Sequence, residues 1–67
     1  MSDKLKRMAS TKGFIALFWE TLIEYRKAGN GISQRKVFEQ LNEEWEEEIG
    51  EPRFPSFDAF RKVRDRR

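Results

Sequence analysis

Residues 11–33 read TKGFIALFWETLIEYRKAGNGIS. Phe14, Phe18, Leu22 and Tyr25 recur at spacings of four, four and three, with Ile15 and Leu17 flanking the stripe. This is a helical period, and no strand-like alternation competes with it. Ser10 or Thr11 supplies an N-terminal cap. Arg26 and Lys27 fall in the last turn, where the helix dipole favours cations. Gly29-Asn30-Gly31 then stops the helix, with Gly29 suited to a left-handed cap. The stretch predicts a helix over residues 12–28.

The same logic extends outward. Ser33 opens a second helix whose apolar face is Val37, Phe38, Leu41 and Trp45, extended by Ile49. Gly50 ends it near residue 49, and Pro52 and Pro55 prevent its continuation. Ser56, directly after Pro55, caps a third helix over about 56–66, where Phe57, Phe60 and Val63 mark the buried side. Residues 1–11 are polar and aperiodic and read as a flexible basic arm. Residues 12–67 read as one all-α domain, a compact three-helix bundle. Its expected core is Phe14, Phe18, Leu22, Val37, Phe38, Leu41, Trp45, Phe57, Phe60 and Val63. No heptad pattern runs long enough for a coiled coil.

Size and composition narrow the chemistry. A chain of 67 residues buries only about 60% of its unfolded surface, so its core must be efficient. Six Phe, two Trp and one Tyr supply that core. There is no cysteine and no histidine, which removes disulfides, Cys-based zinc sites and the commonest general base. No run approaches the roughly 18 apolar residues of a membrane span. FIALFW is too short, and lacks the cleavage site, for a secretory signal. The expectation is a cytoplasmic protein with no membrane partner. The sequence stops inside an Arg-rich helical run, as a fragment of a longer protein does.

Three strings imitate catalytic or ligand motifs. Ser33-Gln34-Arg35-Lys36 matches an S-x-x-K nucleophile pattern, but that pattern needs partners from a much larger domain. Gly29-Asn30-Gly31 follows a helix rather than a strand and lacks the third glycine of a dinucleotide loop. Glu43, Glu44, Glu46, Glu47, Glu48 and Glu51 lie mostly along a helix end, where a solvated face outweighs a cation site. The chain is expected to be no enzyme and to need no cofactor.

Charge is unevenly spread within a net +2. Residues 1–13 carry Lys4, Lys6, Arg7 and Lys12 against Asp3, and residues 56–67 carry Arg61, Lys62, Arg64, Arg66 and Arg67 against Asp58 and Asp65. The six glutamates lie between them. On the third helix, Asp58, Arg61, Lys62, Asp65 and Arg66 lie opposite the apolar stripe, with Arg64 and Arg67 beside it. A basic helical face gains affinity for phosphates through counterion release. Its Arg and Lys can reach guanine edges, and its Asp can accept from cytosine. The aspartates equally serve as internal partners, Asp58 with Lys62 and Asp65 with Arg61, each four apart.

A second helix beginning Ser-Gln-Arg-Lys, then a turn and a basic third helix, resembles the helix-turn-helix family. More specifically, GNGISQRKVFEQLNEEW and FPSFDAFRKVRDR look like the homeodomain-like modules of bacterial transposases and integrases, and like related phage regulators. The carrying features are Ser33, Pro55-Ser56-Phe57, Arg61 and Arg64, within residues 14–67. The resemblance implies double-stranded DNA as partner, with the third helix in the major groove and the second crossing the backbone. It implies contacts from Ser56, Asp58, Arg61, Lys62, Asp65 and Arg66. Ser33, Arg35 and Lys36 would hold phosphate at the second helix start. Lys4, Lys6 and Arg7 would form a minor-groove arm, or a solubilising tail. Two departures stand out: the link from Gly50 to Pro55 exceeds the usual three- or four-residue turn, and six carboxylates must face away from DNA. No aromatic platform for RNA is evident.

The rival reading starts from Trp19 and Ile23, four apart and away from the main stripe of the first helix. A helix that is apolar most of the way round has more than one neighbour. These two residues would form a homodimer seam or dock on the rest of a longer chain, making the domain a small helical protein-interaction module. Alternatively, the N-terminal arm folds over them.

Overall fold

The computed structural model describes residues 2–66. The chain is all-helical, with no strand among the described residues. Its elements are α1 (Asp3–Ala9), α2 (Thr11–Lys27), α3 (Gln34–Ile49) and α4 (Phe57–Asp65). Arg67, read as flanking the last apolar stripe, lies outside the described residues.

A serine caps each helix, and its hydroxyl accepts from the backbone N–H three positions on. The pairs are Ser2 with Leu5 (3.2 Å), Ser10 with Gly13 (2.9 Å), Ser33 with Lys36 (3.2 Å) and Ser56 with Ala59 (3.2 Å). Each cap stabilises its helix by about 1 kcal/mol relative to alanine. The C-terminus of α2 closes as a Schellman motif. Gly29 takes φ 81°, its N–H donates to the Arg26 carbonyl, and Asn30 N–H donates to that of Tyr25. Gly50, at φ 100°, ends α3.

The expected flexible arm is corrected here. Residues 3–9 are helical, because Leu5 and Met8, one turn apart, are both buried against the core. Seven residues form a helix too short to persist alone, so this burial and the Ser2 cap are what hold it. The corner between α1 and α2 is tight. Ser10 ends one helix and caps the other, and a Cβ on Gly13 would lie 2.0 Å from the Arg7 carbonyl oxygen. Gly13 is required for that close approach rather than for an unusual backbone angle.

The core is aromatic. Phe14, Phe18 and Phe60 are fully enclosed. Phe60 of α4 is the hub, with ring centroids 5.4 Å from Phe14, 4.9 Å from Phe18, 5.1 Å from Phe38 and 5.4 Å from Phe54. Trp45, Phe57 and Val63, expected in the core, are only partly buried at its edge. Phe54 belongs inside it, although it lies in the link between two prolines.

That link is ordered by two side chains. Asn42 of α3 clamps the Phe54 backbone, donating from Nδ2 to its carbonyl and accepting its N–H at Oδ1, both at 3.0 Å. Arg53 donates to the Met8 and Ala9 carbonyls at 3.0 and 3.2 Å. Those groups are among the unpaired carbonyls that any helix leaves at its C-terminus. The Arg53 guanidinium also lies 4.9 Å from the Phe54 ring and 5.8 Å from Trp45. One residue of the link thus ties α1 to the end of α3. The radius of gyration, 11.5 Å, is near the ~11 Å expected of a compact chain this long.

Candidate nucleic-acid interface

The outer face of α4 is built by its inner one. With Phe60 in the core and Phe57 and Val63 at its edge, Asp58, Arg61, Lys62, Asp65 and Arg66 point to solvent, all exposed. Arg61, Lys62 and Arg66 make no ion pair among the described residues. Asp58 is likewise free of one. Asp65 is not: it accepts from Arg64 Nε at 3.0 Å, and that bond, with the nearby Arg61 charge, holds its carboxyl below the usual carboxylate range. The expected Asp58–Lys62 and Arg61–Asp65 pairs are therefore absent as direct contacts.

Arg64 carries part of the resemblance, yet it faces inward. Its side chain is only 14% exposed, it hydrogen-bonds Gln34 Oε1 through Nη1, and its guanidinium lies 5.7 Å over the Trp19 ring. It joins α4 to the start of α3 and the middle of α2. The first turn of α4 makes a second junction with α3, where Arg35 lies 5.6 Å over the Phe57 ring. These contacts bring the Ser33–Lys36 turn beside α4. Ser33 and Ser56 are spent as caps, Arg35 and Lys36 remain exposed, and Lys36 makes only a 3.9 Å contact with Glu39.

Lys4, Lys6 and Arg7 are not on an arm. They lie on α1, where Lys4 pairs with Glu44 at 2.8 Å. Arg7 meets both carboxylate oxygens of Glu20, with Nη1 at 3.2 Å from Oε1. The Arg7 hydrogen bond holds Glu20 below its ordinary pKa, and Glu20 raises Arg7 in turn. The structure thus answers two of the three arm cations with carboxylates of its own.

The acidic end of α3 is separated from this cationic surface. Along α3, Lys36 lies seven residues from Glu43 and ten from Glu46, roughly 10 and 15 Å along a helix axis. Both exceed the Debye length of about 8 Å at physiological salt. Among the described residues, no three of these carboxylates converge as a metal site needs. Among the described residues, no helix is long and apolar enough to cross a membrane.

Sequence reasoning missed Asn42, Arg53 and Phe54, which set where α4 begins. A buried aromatic between two prolines was the available signal for Phe54. Asn42 and Arg53 act through contacts 12 to 45 residues away in sequence, and no local pattern announces them. No family model matches the chain, and no curated protein or solved structure matches it.

Proposed function

We propose that this chain is a double-stranded-DNA-binding domain of helix-turn-helix type, from a mobile-element or transcription-regulatory protein. In this reading α4 enters the major groove and the first turn of α3 sits over the backbone. The observation that carries it is the set of exposed cations Arg61 and Lys62 on α4 and Arg66 at its C-cap, on a helix joined to the Arg35–Lys36 turn of α3 through Arg64–Gln34 and Arg35–Phe57. These side chains are exposed, and Arg61, Lys62 and Arg66 are unspent on internal ion pairs, whereas Lys4 and Arg7 are spent. Arg61 and Lys62 are the candidate readers of base edges, with Asp58 as acceptor. Arg35, Lys36 and Arg66 serve as phosphate contacts. Arg64 orients α4 rather than touching DNA. The long link, pinned by Asn42 and Arg53, replaces the tight turn of the motif.

The test is chemical-shift perturbation with short duplex DNA at low and moderate salt. Shifts are expected at residues 33–36 and 57–66 and should weaken as salt rises. An absence of shifts at low salt overturns the reading. The three phosphate contacts, Arg35, Lys36 and Arg66, give log K against log salt a slope of about −2.7, and each Ala substitution among them should remove about 0.9.

A further inference from the structure

Among the described residues, Trp19, Ile23 and Ile49 are the large apolar side chains left exposed, at 36%, 50% and 40%. They fall on two surfaces of opposite charge. Trp19 and Ile23 lie one turn apart on α2. Arg26 and Lys27 follow in the next turn, and the Arg64 guanidinium covers one side of Trp19. Glu20 and Glu24 flank this face. Both Glu20 oxygens are held by Arg7, whereas Glu24 makes no ion pair among the described residues and offsets one of the two cations. The result is an apolar patch whose frame keeps a net positive charge through Arg26 and Lys27. Ile49 closes α3 one turn after the partly buried Trp45, with Glu46, Glu48 and Glu51 around it. None of those three makes an ion pair among the described residues. Even with the Arg53 guanidinium 5.8 Å from the Trp45 ring, this apolar patch has a frame of net negative charge, with the same four-residue Trp–Ile spacing.

We propose that copies of this chain associate head to tail, the acidic Trp45–Ile49 end of α3 in one copy docking on the Trp19–Ile23 face of α2 in the next. Charge selects this pairing over the symmetric ones. Two α2 faces meeting would set Arg26 and Lys27 against their equivalents, the Arg64 charge being answered by Asp65. Two α3 ends would oppose six or more carboxylates. Like-charge juxtaposition of that kind is what suppresses wrong partners. The cross pairing puts each apolar pair on the other and each frame against its opposite. Such a contact is heterologous, so it extends into a chain or closes into a ring rather than stopping at a dimer. The patches are small, which places the contact in the weak class below about 1,200 Å². The surfaces include none of Arg61, Lys62 or Arg66, so the inference stands independently of DNA binding.

The experiment is sedimentation equilibrium from about 10 μM to 1 mM, where an interface this small is read, at 50 mM and 500 mM salt. The wild-type mass should rise with concentration at low salt and fall back toward the monomer at high salt. Ile23→Glu removes the receiving face and Ile49→Lys the inserting end, so each variant alone should stay monomeric. Mixed, they should form a one-to-one pair, because each keeps the half that the other lacks. Far-UV circular dichroism checks that both fold. Should either lose helix, Lys27→Glu and Glu48→Lys repeat the experiment, each weakening association at least about tenfold. A wild type that stays monomeric at 1 mM and 50 mM salt overturns the proposal. So does self-association that Ile49→Lys leaves intact, which would mean a symmetric α2 seam. A mixture that stays monomeric overturns it as well.

Discussion

Gly13 stands three residues into α2, where helix propensity alone disfavours glycine by roughly 1 kcal/mol. Its role is spatial, since the Arg7 carbonyl occupies the place of a Cβ. The nearest contact is Arg7 backbone, which cannot yield as a flexible side-chain end would, and the Ser10 hydroxyl is held by its cap bond to Gly13. Gly13→Ala should therefore destabilise the fold by about 1–3 kcal/mol, the range for overpacking, despite improving propensity. Gly31 is the control. It has open space and no positive φ, so Gly31→Ala should be neutral or stabilising by about 0.4–1 kcal/mol. Urea melts of the two variants check both signs at once. Phe60 marks the other extreme, where one ring is shared by α2, α3, α4 and the link. Phe60→Ala should cost about 3–5 kcal/mol. In a domain whose whole stability is of order 5 kcal/mol, that leaves about 0–2 kcal/mol, so the variant should be marginal at 25 °C, with up to about half of it unfolded by circular dichroism.

At the scale of elements, α1 shows what local pattern can and cannot convey. The three longer helices were legible because stripes of three or more apolar residues follow serine caps, with glycine stops ending the first two. Expected spans of 12–28, 33–49 and 56–66 meet observed ones of 11–27, 34–49 and 57–65. α1 has only Leu5 and Met8 in seven residues, too few to establish a period. Its signal was the Ser2-Asp3 start, and its stability is tertiary. Arg53→Met keeps much of the stem while deleting the donors to Met8 and Ala9. Native-state amide exchange should then show lost protection at Leu5–Ala9, with α2–α4 largely unchanged, for a local cost of about 2 kcal/mol. The outer face of α4 was likewise legible from periodicity. The inward turn of Arg64 was not, because Trp19 and Gln34 meet it from distant parts of the chain. The Arg7–Glu20 staple between α1 and α2 adds a pH dependence. The folded Glu20 and Asp65 carboxyls sit below their ordinary values, so the unfolded chain binds more protons in acid. Their contribution is complete above the ordinary carboxylate pKa, about 4, and is lost as pH falls through the depressed folded values. Glu20→Gln should flatten the acid limb of a stability–pH curve while leaving Tm near pH 7 little changed, as expected of an exposed pair.

Over the whole molecule, the arrangement of charge matters more than its net value. Six glutamates gather near one end of α3, while Arg35, Lys36, Arg61, Lys62 and Arg66 gather around its start and α4. Screening decides how far the first group is felt by a strand bound to the second. At 0.15 M salt the Debye length is about 8 Å, and at 0.01 M about 30 Å. A separation of roughly 15 Å along α3 lies outside the first and well inside the second. At roughly 15 Å and high dielectric each charge–phosphate pair is worth about 0.3 kcal/mol unscreened, so three charges facing several phosphates each sum to about 2–3 kcal/mol. Most of it vanishes at physiological salt. The variant Glu46→Gln, Glu47→Gln, Glu48→Gln should thus bind duplex DNA within about twofold of wild type at 0.15 M salt. At 0.01 M it should bind several-fold more tightly. Fluorescence anisotropy titrations at the two salts measure the difference. Equal gains at both salts would mean that the acidic end lies beside the DNA, against the orientation proposed for α4. No gain at 0.01 M would mean that these charges are already neutralised, as docking of a second copy on that end would do, and dilution of the protein would then restore the gain.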